Sequence, residues 1–188
     1  FRHQIMSIMD YTLSVPYQEF DLVAACVRNE RWAQQKLYEE NYSKLMGASL
    51  RYSNNEEDAL DILHEGFIKI FKNIDKYQQG TSLQAWMNRI VVNTAIDFYR
   101  KNIRRRTDDI EQAYQLSSDD ADAISQCSEK EILAAIQELS PAYRAVFNLY
   151  VVEGYAHKEI ADILQINEST SRSNLVKARL KLKELLSR

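Results

Sequence analysis

The sequence predicts an all-α protein made of two small helical domains joined by a flexible acidic linker. Three observations carry that prediction. The 188 residues include only four Gly and two Pro. A β-sandwich or a Gly-rich nucleotide-binding fold needs more turn residues than that, and helices need few. Apolar residues recur at three- and four-residue steps through most of the chain, the spacing of one helix face. That periodicity fails in TDDIEQAYQLSSDDADAISQCS, residues 107–128, which is acidic and rich in Ser and Asp. The chain therefore divides into an N-terminal extension (1–17), a first domain (18–106), a linker (107–128) with at most a helical turn near 110–116, and a second domain (129–188).

The elements follow in order. A short helix runs from about Gln18 to Arg28. Trp32 to Tyr52 forms a second, amphipathic through Leu37, Tyr38, Leu45 and Leu50. Asn54 or Asn55 caps a third, whose first turn holds Glu56, Glu57 and Asp58, where carboxylates complement the helix dipole. Its stripe is Ala59, Leu63, Phe67, Ile70 and Ile74, widened by Leu60, Ile62, Ile68 and Phe71, and it ends near Tyr77 before Gln78-Gln79-Gly80. Ser82 caps a fourth helix through Leu83, Trp86, Ile90, Asn93, Ala95, Ile96 and Tyr99, in which Trp86 is read as core. These four helices close one core.

In the second domain, Glu129 to Leu139 is helical. Ser140-Pro141 then supplies a cap with Pro at the first helical position. Ala145, Val146, Leu149 and Tyr150 form the next face, and Gly154 ends it. Ala156 to Leu164 is short, with Ile160, Ala161, Ile163 and Leu164 inward. Gln165-Ile166-Asn167 turns the chain, and the last helix starts at Glu168 or Ser169, with Leu175, Ala178, Leu182 and Leu185 in its stripe. Each half closes its own apolar pattern, so the halves are expected to fold independently.

Composition excludes several functions. No apolar run spans a bilayer, and FRHQIMSIMD lacks the apolar core of a signal peptide, so a cytoplasmic protein without stable membrane insertion is expected. The chain opens on Phe1, which leaves Met6 and Met9 as candidate natural starts. Cys26 and Cys127 lack metal-site spacing, and His3, His64 and His157 are scattered. No metal and no cofactor are expected. No phosphate loop, HExxH or nucleophile elbow occurs, so the chain reads as no enzyme, with no small-molecule substrate. The net charge of −3 hides an uneven distribution. Six basic residues face one acid in 86–106, eight acids face one base in 107–131, and six basic residues face one acid from Ser169 onward. Phosphate binding depends on local positive charge.

The segment HKEIADILQINESTSRSNLVKARLKL follows helix-turn-helix logic. Small and polar residues (Ser169, Thr170, Ser171, Ser173 and Asn174) crowd the start of the second helix, with Arg172 and Lys177 among them. A recognition helix needs this, because its N-terminal end enters the major groove.

Residues 140–186, with LSPAYRAVFNLY and then the helix-turn-helix segment, resemble region 4 of bacterial sigma factors of the extracytoplasmic-function class. The family often has Gly at positions 165 and 169, and Arg at 174 and 177. EEDALDILHEGFIKIFKNIDKY resembles sigma region 2.2, and SLQAWMNRIVVNTAIDFYRK resembles regions 2.3 and 2.4. The resemblance covers roughly 18–105 and 128–186. It implies a factor that binds core RNA polymerase and promoter DNA, and an anti-sigma partner. The polymerase-facing positions are then Asp61, His64, Glu65, Ile68 and Lys69. Asn88, Arg89 and Asn93 face the minus-ten element. The loop from Gln78 to Ser82 resembles the one that holds an extruded base. Arg100, Lys101, Arg104 and Arg105 meet phosphates. Thr170, Ser171, Arg172, Ser173, Asn174 and Lys177 face the minus-thirty-five element. The alternative is a ligand- or phosphorylation-gated helix-turn-helix regulator, which would bind its operator without polymerase.

Overall fold

A computed structural model describes residues 19–78, 80–105 and 128–187. The N-terminal extension with Met6 and Met9, Gln79, and the linker from Thr107 to Cys127 lie outside the described residues, as do the side chains of Arg104 and Arg105. Among the described residues the secondary structure is helical, without strands: α1 (Glu19–Val27), α2 (Arg31–Tyr52), α3 (Glu56–Asn73), α4 (Leu83–Arg105), α5 (Glu129–Glu138), α6 (Pro141–Phe147), α7 (His157–Leu164) and α8 (Glu168–Leu186). A 3-10 turn, Ile74–Lys76, extends α3, and a π-helical turn, Asn148–Val152, extends α6.

The helix starts come from local chemistry. Asn55 Oδ1 accepts from the Asp58 N–H at 2.8 Å at the head of α3. At α5 the Ser128 N–H donates to the Glu131 carboxylate at 2.8 Å, and the Glu131 N–H donates back to Ser128 Oγ at 3.4 Å. Ser140 Oγ accepts from Tyr143 N–H ahead of Pro141. Each such cap contributes about 1 kcal/mol. Between α7 and α8, Gln165 takes the left-handed conformation (φ 58°) and Ile166 N–H bonds Ala161 O at 3.0 Å.

The first core joins Leu37 and Leu45 of α2, Ile62, Leu63 and Ile70 of α3, and Met87 and Val91 of α4. A Cβ at Gly66 would sit 2.9 Å from Val91 Cγ2, so α3 and α4 approach over a bare backbone. Trp86 packs partly buried against this core, in line with its reading. The centre of the α4 stripe, however, is Leu83, Met87, Val91 and Ala95 rather than Trp86 and Ile90. Both sets have helical spacing, and side-chain size does not mark the deeper one.

Each half closes a buried cluster of its own, but its apolar pattern does not close wholly within it. Val92 and Ile96 of α4 belong to one buried cluster with Val146, Leu149, Ile160, Leu164 and Leu175 of the second half. A separate cluster of Ala135, Ile136, Leu139, Ala178 and Leu182 lies wholly within the second half. One residue along a helix is a rotation of about 100°, so Val92 and Ile96 point away from the Met87–Val91 row. In sequence the two rows merge into one broad stripe. In the structure they serve two different cores.

Candidate nucleic-acid interface

Helix α8 buries Ser171, Asn174, Leu175, Ala178 and Leu182, which recur at three- and four-residue steps. Ser171 and Asn174, expected among the groove-facing residues, therefore lie on the inner stripe, at 0% and 3% exposure. Ser171 Oγ is 2.9 Å from His157 Nδ1, which ties α8 to the head of α7. Burial, and then the nearby Arg172 charge, hold the His157 ring below its ordinary pKa. The outward side carries Ser169, Arg172, Val176 and Leu180, with Thr170, Ser173 and Lys177 half-buried along it. Arg172 pairs with Glu168 at 2.5 Å, but both side chains are exposed, and such pairs contribute little. The guanidinium is free to change partners. Lys177 lies over the Tyr143 ring, 5.8 Å from its centroid. Val176 and Leu180 were missed in the sequence. They stand one and two turns beyond Arg172, and that spacing was the available signal.

The loop before α4 is preorganised. The Tyr77 hydroxyl donates to Thr81 O, Thr81 Oγ1 donates to Gln78 O at 2.7 Å, and Ser82 Oγ accepts from Ala85 N–H at 3.2 Å. Tyr77 and Trp86 pack ring to ring at 5.7 Å beneath it. Gln78 and Ser82 are exposed, and so are Arg89, Asn93 and Lys101 along α4. Asn88 and Arg100 are engaged elsewhere. Asn88 Nδ2 donates to the Glu153 carboxylate at 3.3 Å, and Arg100 donates to Ile163 O. Both partners lie in the second half.

On α3, Asp61, His64 and Glu65 are exposed, and Ile68 is an exposed apolar side chain beside them. Lys69 lies 4.0 Å from Glu65 and 3.4 Å from Asp97, and Asp97 is 3.7 Å from Arg100.

The seam between the halves has its own chemistry. Arg144 is 2% exposed and cationic, although burial pushes its pKa down to about 10. Its Nε donates to Ile136 O at 3.0 Å, and Nη2 to Gln137 O and Leu139 O at 2.6 and 2.7 Å. Nη1 crosses the seam to Ser53 O at 2.5 Å. Asn148 Nδ2 donates to Arg51 O at 2.6 Å, and Gln137 Nε2 to Leu50 O at 3.2 Å. The last carbonyls of a helix lack intrahelical donors, and a cation there also complements the dipole. The second half thus caps the C-terminal end of α2. The seam is incompletely paired: Arg51 Nε, Tyr52 Oη, Arg100 Nε, Asn148 Oδ1 and Glu153 Oε1 are buried without a hydrogen-bond partner. Each costs about 1–3 kcal/mol if it stays dry.

The sigma-70 region 2 family matches residues 37–105, and the sigma-70 region 4 family matches residues 129–182. The RNA polymerase sigma factor SigV of Bacillus subtilis is 31% identical over 127 residues, 68% of this chain and 75% of that protein. The ECF RNA polymerase sigma factor SigE of Mycolicibacterium smegmatis is 27% identical over 158 residues. The chain belongs to the sigma-70 family, in its extracytoplasmic-function class. The match to SigE takes in 81% of this sigma factor and 61% of that relative's length. Among solved structures, the sigma factor RpoE of Bartonella quintana, in complex with the anti-sigma factor NepR, is 21% identical with a TM-score of 0.48. The match covers 81% of this chain and 96% of that one. Region 2 of this sigma factor thus includes the body of α2 with α3 and α4, and region 4 comprises α5 to α8. Among the described residues, no helix is long and apolar enough to cross a membrane.

Proposed function

We propose that the protein is a non-catalytic, cytoplasmic initiation factor. It binds core RNA polymerase, recognises minus-ten and minus-thirty-five promoter elements and directs promoter opening. The observation that carries this reading is the outward side of α8, where Arg172, Ser173 and Val176 stand together on a cationic helix of a helix-turn-helix. Arg172 can form two hydrogen bonds to one guanine, and Val176 suits a thymine methyl group. Thr170 and Lys177 meet phosphates and set register. On α4, Arg89 and Asn93, with Asn88 once released, read the minus-ten strand. Gln78 and Ser82 edge a pocket for an extruded base. Arg100 and Lys101 take phosphates. Asp61, His64, Glu65, Ile68 and Lys69 dock on polymerase, where Ile68 supplies the apolar contact. An anti-sigma partner belongs to this reading on the strength of the family resemblance.

The test is run-off transcription from a minus-thirty-five promoter library with purified core polymerase. Specific transcripts should need both proteins. Equal promoter binding with and without core polymerase, and no specific transcript, would replace this reading with that of an ordinary operator-binding regulator.

A further inference from the structure

We infer that α8 grips both walls of the major groove with two cations parked on tyrosine rings, Lys177 on Tyr143 and Arg179 on Tyr150, and that these two tyrosines are positioning residues for the phosphate contacts. The inference rests on the reading of α8 as the minus-thirty-five helix. Lys177 Nζ lies 5.8 Å from the centroid of the Tyr143 ring, and the Arg179 guanidinium lies 5.9 Å from that of Tyr150. Two residues along a helix are a rotation of about 200°, so the two cations stand on opposite flanks of α8. The inner stripe, Ser171 to Leu182, fills the arc on one side of them. Ser173, Val176 and Leu180 fill the outward arc on the other. A helix seated in the groove has a phosphate strand on each flank.

The rings come from outside α8. Tyr143 sits on α6, and Tyr150 lies in the π-helical turn that extends it. Tyr150 is 37% exposed, although Leu149 beside it is fully buried. Its ring stacks on His157 at 4.5 Å and 22°, and His157 Nδ1 is 2.9 Å from Ser171 Oγ. The ring under Arg179 is thus tied to both helices of the helix-turn-helix. Among the described residues, the ion pairs of α8 engage Arg172 and Lys181 and leave Lys177 and Arg179 without a carboxylate partner. A guanidinium with its face on a ring keeps the N–H groups at its edge for phosphate, and an ammonium above a ring keeps donors that point away from it. The ring restricts each long side chain before DNA arrives, so less conformational entropy is lost on binding.

The experiment uses holoenzyme assembled from the full chain and core polymerase. Anisotropy of a labelled duplex carrying the minus-thirty-five element is read over a range of salt concentrations. Lys177→Gln and Arg179→Gln should each weaken binding about fivefold near physiological salt, and make the plot of log K against log salt shallower by about 0.9, the value of one phosphate contact. Tyr150→Leu should weaken binding about threefold, and Tyr150→Phe, which keeps the ring, should bind as the wild-type chain does. Tyr150→Leu should cost nothing further once Arg179→Gln is present, whereas a merely structural role for the ring, through His157, would persist in that double variant. Tyr143→Leu should behave in the same way toward Lys177→Gln. A slope unchanged by Arg179→Gln, or a loss on Tyr150→Leu that is the same with and without Arg179, overturns the inference. Wild-type holoenzyme that ignores the minus-thirty-five sequence would instead count against the functional reading, because the salt slope reports phosphate contacts on any duplex.

Discussion

Helices α4 and α8 are both cationic and both assigned to promoter DNA, yet they meet solvent differently. Along α8 the outward side is open, and its ion pairs, Arg172 with Glu168 and Lys181 with Glu184, are exposed. Along α4 two of the assigned side chains are held by the opposite half, and Val92 and Ile96 are buried in a shared apolar cluster. The difference teaches that a basic helix is available for DNA only where its neighbours leave it so. Charge alone does not separate the two.

The strongest way to break the contrast is Arg144→Met. It removes the donor from four carbonyls, and leaving buried carbonyls unpaired costs about 1–3 kcal/mol each. Urea denaturation should show region 4 destabilised by about 3 kcal/mol or more, with α4 opened as a consequence. A loss under 1 kcal/mol would mean that water replaces the guanidinium freely.

Arg172→Ala sharpens the contrast from the other side. It should flatten base preference at one or two minus-thirty-five positions, a loss of about 1–3 kcal/mol of discrimination. Asn174→Ala should leave preference intact and lower stability instead, because Asn174 is buried. A promoter library transcribed with each variant separates them, and a preference change in Asn174→Ala would return that residue to the groove.

Acidification should act on the two helices with opposite sign. His157, which anchors α8, has its pKa lowered from the ordinary 6.5. The folded state disfavours its charged form, so stability present above pH 6.5 is lost as pH falls from there toward the lowered value. Glu153, at the α4 seam, has its pKa raised from 4.5 by burial, against the opposing effects of Arg51 and Asn88. Tyr52 and Tyr155 also stand in this neighbourhood. The closed seam favours protonated Glu153, so closure strengthens as pH falls through the raised value toward 4.5. As pH falls from 7 to 4.5, thermal melting of region 4 should drop while scattering shows a more compact chain. His157→Phe should remove the first trend alone.

The smallest expected effect is at the turn that sets α8 against α7. Gln165 occupies a left-handed conformation that disfavours a Cβ. Gln165→Gly should stabilise region 4 by about 0.5–1 kcal/mol, net of the entropy Gly adds to the unfolded chain. A measured destabilisation would show that the Gln side chain itself holds the turn.

Much of this was legible in the sequence. The capped starts at Asn55, Ser82 and Ser140, the Pro141 entry and the helix-turn-helix follow from local chemistry acting over three or four residues. The exposed positions Asp61, His64, Glu65 and Ile68 of α3 follow from the family resemblance, because period alone draws Ile68 into the apolar stripe. What escaped depends on distant partners. Ser171 and Asn174 are small and polar, and their inward placement is set by His157 and the second core rather than by their own hydropathy. The second row on α4, Val92 and Ile96, has meaning only when region 4 packs against it. Val176 carries no distinguishing signal in sequence, because an apolar residue on a recognition helix looks like core until the true inner stripe is known.

The capping of α2 by residues from the other half has a last consequence. Leu50, Arg51 and Ser53 offer carbonyls that the first half leaves without donors, and Gln137, Asn148 and Arg144 supply them. Two modules on one chain can meet at an effective concentration near a millimolar, when the tether spans them. A contact with a dissociation constant of about a millimolar would then be closed roughly half the time. The same halves, severed between Thr107 and Ser128 and mixed at micromolar concentration, would stay almost wholly apart. Covalent continuity, more than the strength of any seam contact, then sets how often the α4 surface is covered.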